Sequence, residues 1–380
     1  MTKRVRRGMA VIAAMLLIML DISSAYAAPE ADDKEPDMDA GGAVLMEKDT
    51  GIVLLSKNAH QKLPMASTTK IMTALVVIEN CSLGETVEVA SKAYGVEGSS
   101  MYLKAGEKIS VEDLLYGLML LSGNDAAVAL AIHTAGSVEA FAALMNKRAE
   151  SIGARNTHFV TPNGLHDAEH YTTAYDLALI AAEAMKNEAF RTIVASTYHK
   201  SSTGSLVRYM KNKNKILWEY EGGCGVKTGY TKAAGKCLVF AAERNGMSLI
   251  GVVLRCQTMF PTAKAMLDYG FGLYSVQKVI SAGDVIVRTR VLKGTKTSLA
   301  AAAKDDIMIP VKKGERACIK TEIMLDEGLS APVELGQEIG TLKVFVNDKL
   351  AAQTSIVACE SIAPLEYGHY LKKLLGMWAA

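Results

Sequence analysis

From Ser67 to Glu79 the chain is apolar with few breaks and is built from good helix formers. A helix of that composition is apolar nearly all round and has little to offer water, so it belongs in the middle of a domain with other elements packed about it. The rest of the chain can supply that packing. At 380 residues it is long enough for two domains with real cores, and its 50% hydrophobic and 22% charged residues describe a globular protein. A formal net charge of +2 gives no reason to expect a nucleic-acid partner.

The surrounding segments predict an α+β fold. Two apolar runs between Ala43 and Leu55 flank Asp49-Thr50-Gly51, a hairpin signature. Val111 to Leu121 and Ala126 to Ala135 read as helices joined by a polar corner at Ser122-Gly123-Asn124, and Thr173 to Met185 as an Ala-rich helix. Between Gly225 and Arg255, strand-like runs broken by Gly pairs and Asn-Gly suggest an antiparallel sheet. The texture changes after about Tyr274. Short β-rich runs follow at Val285–Val291, Ile307–Val311, Ala317–Met324 and Leu342–Val346, which suggests a small all-β domain with no chemistry of its own.

Both ends read as addresses. Lys3, Arg4, Arg6 and Arg7 precede an apolar run from Met9 to Leu20, and Ala25-Tyr26-Ala27 follows, the pattern of a signal peptide over 1–27. The other reading is an uncleaved anchor; both put the mature protein outside the cytoplasm. Residues 28–42 read as a linker. On a helical wheel, Tyr367, Tyr370, Leu371, Leu374, Leu375, Met377 and Trp378 share an arc of about 160°. Over 363–380 this suits an amphipathic helix lying at a membrane surface, with packing back on the β domain as the alternative. The expected organisation is therefore 1–27, 28–42, a catalytic domain over 43–274, a β domain over 275–362 and the terminal helix.

Six cysteines fit no disulfide framework. Cys237 and Cys256 fall on runs joined by the turn Arg244-Asn245-Gly246 and are candidates for a pair, with reduced, buried thiols as the other reading. His166 and His170 follow a Pro-Asn-Gly turn without any HExxH pattern, so no metal site is expected.

Three short motifs carry the chemistry. Ser67-Thr68-Thr69-Lys70 opens the buried helix, and a spacing of three puts both side chains on one face. Free N–H groups at the helix start favour negative charge near Ser67, while burial pushes Lys70 toward its neutral form, able to accept the Ser67 proton. In the Ser122-Gly123-Asn124 corner the hydroxyl suits a proton relay and the amide suits clamping a peptide backbone. Lys227-Thr228-Gly229 begins a strand, where Lys and Thr suit a carboxylate and Gly229 lets a substrate strand come close. Each motif alone is ordinary: an N-cap, a turn, a strand start.

Together and in this order they resemble the serine penicillin-recognising family, for which S-x-x-K, S-x-N and K-T-G are a known signature. The gaps, 55 residues from Ser67 to Ser122 and 105 from Ser122 to Lys227, resemble its low-molecular-mass D-alanyl-D-alanine carboxypeptidases. So do the text from Pro64 to Ala74, Thr161-Pro162-Asn163-Gly164-Leu165, and Thr173 to Ala178.

The resemblance implies a β-lactamase/transpeptidase-like domain followed by an all-β domain. It implies removal of the terminal D-alanine from peptidoglycan stem pentapeptides through an acyl-enzyme, with β-lactams as covalent inhibitors and no cofactor. By it, Ser67 is the nucleophile, Lys70 its proton acceptor and Ser122 part of the relay. Asn124 holds the substrate amide, and Lys227, Thr228 and Arg255 the terminal carboxylate. Backbone N–H groups of Ser67 and Tyr230 form the oxyanion hole, and Gly229 belongs to the substrate-binding strand. A class A β-lactamase fits less well, because Thr161 to Tyr171 lacks the Glu-x-x-Leu-Asn pattern. The alternatives are a DD-endopeptidase and a non-catalytic sensor or scaffold.

Overall fold

A computed structural model describes residues 34–314, 319–346, 348–366 and 368. The proposed signal peptide and most of the proposed terminal helix lie outside the described residues.

The chain opens with the expected hairpin, β1 (Ala40–Glu47) and β2 (Val53–Lys57). β1 starts at Ala40, which already pairs with Cys256, so the strand takes in the last three residues of the segment read as a linker. A 3₁₀ turn, Ala66–Thr69, leads into α1 (Lys70–Asn80). Next come β3 (Thr86–Glu88), β4 (Lys108–Ser110), α2 (Val111–Tyr116), a π-turn over Gly117–Leu121, α3 (Asn124–Ala135) and α4 (Val138–Ile152). Then follow α5 (Ala174–Ala184), α6 (Glu188–Ala195), β5 (Tyr198–Lys200), β6 (Tyr209–Lys211) and the short α7 (Ile216–Glu219). Strands β7 (Gly223–Thr231), β8 (Gly235–Arg244) and β9 (Met247–Cys256) form a meander that ends in α8 (Met259–Leu273).

The main sheet has the order β2-β1-β9-β8-β7, antiparallel throughout. Its side chains sort by parity, as a pleat requires. Val44, Met46, Val239, Ala241, Ile250 and Val252 join the large core that also contains α1, α3 and α5. Ala43, Leu45, Leu238, Phe240, Leu249 and Val253 face the other way, onto Ala263, Met266 and Leu267 of α8. The sheet is thus covered on both faces. The β8–β9 turn is Asn245-Gly246, both at positive φ, as a two-residue hairpin loop demands.

The all-apolar segment is the helix at the centre of the larger layer. Every residue of α1 from Lys70 to Val77 is buried. Thr73 satisfies its hydroxyl by donating to the Pro162 carbonyl at 2.6 Å.

From Tyr274 onward the structure is β-rich. β10 (Tyr274–Ile280) pairs with β13 (Ile307–Lys312). β11 (Val285–Arg290), β12 (Ser298–Ala303), β14 (Ile319–Leu325), β15 (Glu338–Val346) and β16 (Lys349–Ala358) form a second five-stranded sheet in the order β11-β12-β16-β15-β14. β10, β12 and β16 lie outside the runs expected from the sequence, and β12 is the least strand-like of them. Its Ser-Leu-Ala-Ala-Ala-Ala text is poor in β-branched residues, yet it lies inside the sheet with Leu299 and Ala301 fully buried.

Cys237 and Cys256 do fall on neighbouring strands but are free thiols. Cys237 faces Gly229 across the β7–β8 ladder, whereas Cys256 faces Ala40 across the β1–β9 ladder. The two therefore meet different strands.

Gly251 leaves room for the Phe240 ring: a Cβ there would lie 2.1 Å from its Cζ. Gly251→Ala is expected to destabilise the fold by roughly 1–3 kcal/mol. Adding Phe240→Leu should recover part of that loss, and urea unfolding of the two single variants and the double variant measures the coupling.

Candidate active site

The nucleophile turn is held from three sides. Ala66 takes a positive φ of 49°, and Thr69 donates its hydroxyl to the Ala66 carbonyl at 2.8 Å. His170 lies 2.8 Å from Thr69 Oγ1 through Nε2, and its Nδ1 accepts the Val160 N–H at 3.0 Å. That acceptor role places the ring proton on Nε2, which donates to Thr69. Burial pushes the His170 imidazole down to about 4, so it stays neutral. Gly164 comes so close that a Cβ would lie 2.0 Å from the Ala66 carbonyl oxygen. His170, expected to be an ordinary loop histidine, is thus a buried support of the turn that presents Ser67.

Lys70 is wholly buried, and its Nζ lies 3.0 Å from Ser67 Oγ, 2.7 Å from Asn124 Oδ1 and 2.6 Å from the Asn163 carbonyl oxygen. Desolvation, and next the charges of Lys227 and Lys213, hold the amine well below the ordinary lysine range; Asp125 opposes them weakly. A neutral amine has two protons and one lone pair. The two carbonyl oxygens take the protons at the shorter distances, which turns the lone pair toward Ser67. In that state the serine hydroxyl donates to the amine, the geometry of a base set beside its nucleophile.

Asn124 is committed at both ends, since its Nδ2 donates to the Glu97 carbonyl at 2.6 Å. Its neighbour Asp125, buried at the start of α3, accepts from the Met101 and Leu103 N–H groups and the Ser100 hydroxyl. These two residues bind the 97–103 segment to the helix that carries them. Ser122 adopts the left-handed conformation (φ 65°, ψ 32°) where the π-turn ends. The Leu121 carbonyl, freed at that end, accepts from Lys213 at 2.9 Å.

β7 runs along the other side. Lys227 is fully buried, with Nζ donating to the Thr228 carbonyl at 3.0 Å, and desolvation with the Lys213 charge lowers it to about 7. Gly229 lies directly against the nucleophile turn: a Cβ there would be 3.1 Å from the Met65 carbonyl oxygen and from the Ser67 and Thr68 nitrogens. Only a residue without a side chain lets the strand approach this near without a shift.

Between these walls is a cleft of about 450 Å³ lined by Ser67, Ser99, Ser122, Lys213, Thr228, Gly229, Tyr230, Lys236 and Met259. Its charged lining residues are both cations. Eight of the nine sequence candidates are therefore either on the cleft wall (Ser67, Ser122, Thr228, Gly229, Tyr230) or hydrogen-bonded to one of its residues (Lys70 to Ser67, Lys227 to Thr228, and Asn124 through its backbone N–H to Ser99). Asn124 reaches the site through Lys70, and Lys227 stands behind Thr228. Arg255 is not among the lining residues: it sits at positive φ, its side chain runs beside Gly41, and its Cα lies near Gly235. Lys213, Lys236, Ser99 and Met259 went unnoticed in the sequence, because none belongs to a motif and only the fold gathers them.

Comparison with known proteins shows the family of the chain. Residues 29–258 match the peptidase family S11, described as D-alanyl-D-alanine carboxypeptidase. The chain belongs to that family. Residues 274–363 match the C-terminal domain of penicillin-binding protein 5.

The chain is 34% identical to the D-alanyl-D-alanine carboxypeptidase DacF of Bacillus subtilis over 351 residues, covering 90% of each chain. It is 34% identical to DacC of Escherichia coli over 372 residues, covering 94% of this chain and 92% of DacC. Among solved structures it is similar to penicillin-binding protein 5 of Haemophilus influenzae, with TM-score 0.71 and 32% identity over 87% of this chain and 99% of that one. The protein is accordingly a serine-type D-Ala-D-Ala carboxypeptidase of the penicillin-binding class, with the expected α+β architecture.

The unfolded chain protonates a histidine near its ordinary value of 6.5, whereas folded His170 waits until about 4. Stability from this residue is therefore complete above about pH 6.5 and is lost as pH falls toward 4. The loss is expected to be roughly 3 kcal/mol. Urea unfolding across that window should show the slope in the native protein and a flatter one in His170→Gln.

Proposed function

We propose that Ser67 is the acyl-ester nucleophile and Lys70 the base that takes its proton. The observation that carries this is the 3.0 Å separation of Lys70 Nζ from Ser67 Oγ, with the amine's other two directions filled by Asn124 and Asn163. Ser67 Oγ attacks the carbonyl carbon of the D-alanyl-D-alanine bond as its proton moves to Lys70. The C–N bond then breaks, and the leaving amine receives a proton relayed from Lys70 by Ser122. Water hydrolyses the ester and frees Ser67.

The N–H groups of Ser67 and Tyr230 suit the oxyanion, and the close approach of Gly229 to the turn supports that pairing. Lys227 and Thr228 hold the terminal carboxylate of D-alanine. Asn124 positions Lys70, and it clamps a substrate amide when its Nδ2 leaves the Glu97 carbonyl. Arg255 contributes positive charge toward the same carboxylate.

We further propose export by a signal peptide over 1–27, a linker before β1, a catalytic domain to about residue 274, a β domain over 275–362, and peripheral attachment to the outer face of the membrane by the helix over 363–380. A role in maintaining cell shape would follow from trimming stem peptides at that surface. Among the described residues no single helix is long and apolar enough to cross a membrane. The aromatic-aliphatic arc flanked by Lys372 and Lys373 supports a helix that lies on the surface instead.

The decisive experiment gives the purified protein a pentapeptide ending in D-Ala-D-Ala and follows free D-alanine. Native protein is expected to release it and to capture labelled penicillin covalently. Ser67→Ala should do neither while keeping its native circular dichroism. Covalent capture by that variant would remove Ser67 from the role.

The pH profile tests the two lysines. kcat/KM for penicillin acylation should fall on the acid side as Lys70 protonates. It should fall again above about 7 as Lys227 loses the charge that holds the carboxylate. Lys227→Arg keeps its charge and should abolish the alkaline limb only.

A further inference from the structure

α1 and α3 both start at the active site, with Lys70 and Asn124, and their far ends meet again. There Cys81 caps α1, Glu85 lies four residues on in the loop before β3, and His133 occupies the last turn of α3. The thiol sulfur, a carboxylate oxygen and a ring nitrogen all lie within 4.8 Å of one another. An 11-residue helix spans about 16 Å, so this cluster is far from the reacting atoms.

We propose that Cys81, Glu85 and His133 form a binding site for a zinc-type divalent cation, with its fourth position open to solvent. His133 Nε2 and Glu85 Oε2 are 3.2 Å apart, close to the separation of about 3.4 Å between two such ligands on a tetrahedral zinc.

Two of the three donors already carry the outer hydrogen bond that orients a ligand. Glu85 Oε1 accepts the Ser82 N–H at 2.7 Å, and Cys81 Sγ lies 3.4 Å from the Thr134 hydroxyl. The backbone at Cys81 is fixed as well, by its N–H donating to the Val77 carbonyl at 2.9 Å. One thiolate, one imidazole and one carboxylate suit a borderline-soft ion and are a poor set for magnesium or calcium, which take oxygen ligands. Binding replaces the thiol proton with a sulfur–metal bond and releases that proton to solvent. The ion would tie together the C-terminal ends of two helices whose N-terminal ends hold the nucleophile's base. This inference is independent of the carboxypeptidase assignment.

The test titrates the reduced full-length protein with cobalt(II) and records its absorbance. One equivalent is expected to produce a thiolate-to-cobalt charge-transfer band with the strong visible bands of a tetrahedral ion, and one equivalent of zinc(II) should abolish them. Cys81→Ser should lose the charge-transfer band, and His133→Ala and Glu85→Gln should each weaken binding at least tenfold. Cys359→Ser, which removes an exposed thiol, should leave the spectrum unchanged.

Zinc in excess should raise the Tm of the native protein by several degrees and leave those three variants unmoved. Covalent penicillin capture by every variant verifies its fold. No charge-transfer band in the native protein, or a band that survives Cys81→Ser, would overturn the proposal and leave an ordinary His–Glu pair beside an unrelated thiol.

Discussion

The site depends on keeping one amine dry. Lys70 is completely buried, and an ammonium taken from water into such surroundings is costly unless it is fully compensated. Two carbonyl oxygens from separate parts of the chain, Asn124 Oδ1 and Asn163 O, offer enough hydrogen bonding for a neutral amine and supply no countercharge. The nearby Lys227 and Lys213 push in the same direction as burial. Proton affinity and lone-pair direction are thus set by the same packing. A carboxylate in place of either carbonyl would restore the ammonium and remove the base.

That requirement explains the helical layer. α1 has to be apolar all round because the pocket for its first residue must exclude water from every direction. α3 is tied down at its start because Asn124 is one of the two acceptors. Asp125 secures the same end by collecting N–H groups from Met101 and Leu103. The loop that brings Asn163 is fixed by Thr73 donating to the Pro162 carbonyl, and by His170 reaching back to Thr69. These polar contacts are buried and directional, so they specify a position that apolar packing alone would leave loose.

Sequence periodicity made much of this visible. The apolar strand runs of β1, β8 and β9, the all-apolar α1 and the Asn-Gly turn follow from short-range rules that hold residue by residue. The S-x-x-K spacing likewise put Lys70 on the same face as Ser67. Contacts across long separations were hidden. Asn163 acts through its main chain, which carries no residue signal, and His170 meets Thr69 across 101 residues. Lys213, just after β6, and Lys236, on β8, come to the cleft only through the fold. β12 escaped because its alanines fit a crowded interior position that strand propensity does not describe. Arg255, placed with the site by resemblance, is not among the residues lining the cleft; its backbone is left-handed and its side chain lies beside Gly41.

The same loop bears on what happens after acylation. In a class A β-lactamase a carboxylate from this region activates the water that releases the antibiotic. Here Asp167 accepts the Glu169 N–H at 2.8 Å within the loop, Glu169 is exposed, and the residue turned inward is His170. Its one ring proton is already given to Thr69 and its lone pair to Val160, so it has no free site with which to take a proton from water. None of the residues lining the cleft is acidic. On the proposed roles, Lys70 and its relay then serve deacylation as well, once D-alanine has left and made room for water. A penicilloyl group keeps its leaving group attached and continues to fill the cleft, so water reaches the ester poorly. On the proposed roles, the packing that turns His170 toward Thr69 also leaves this loop without a base for hydrolysing a β-lactam ester.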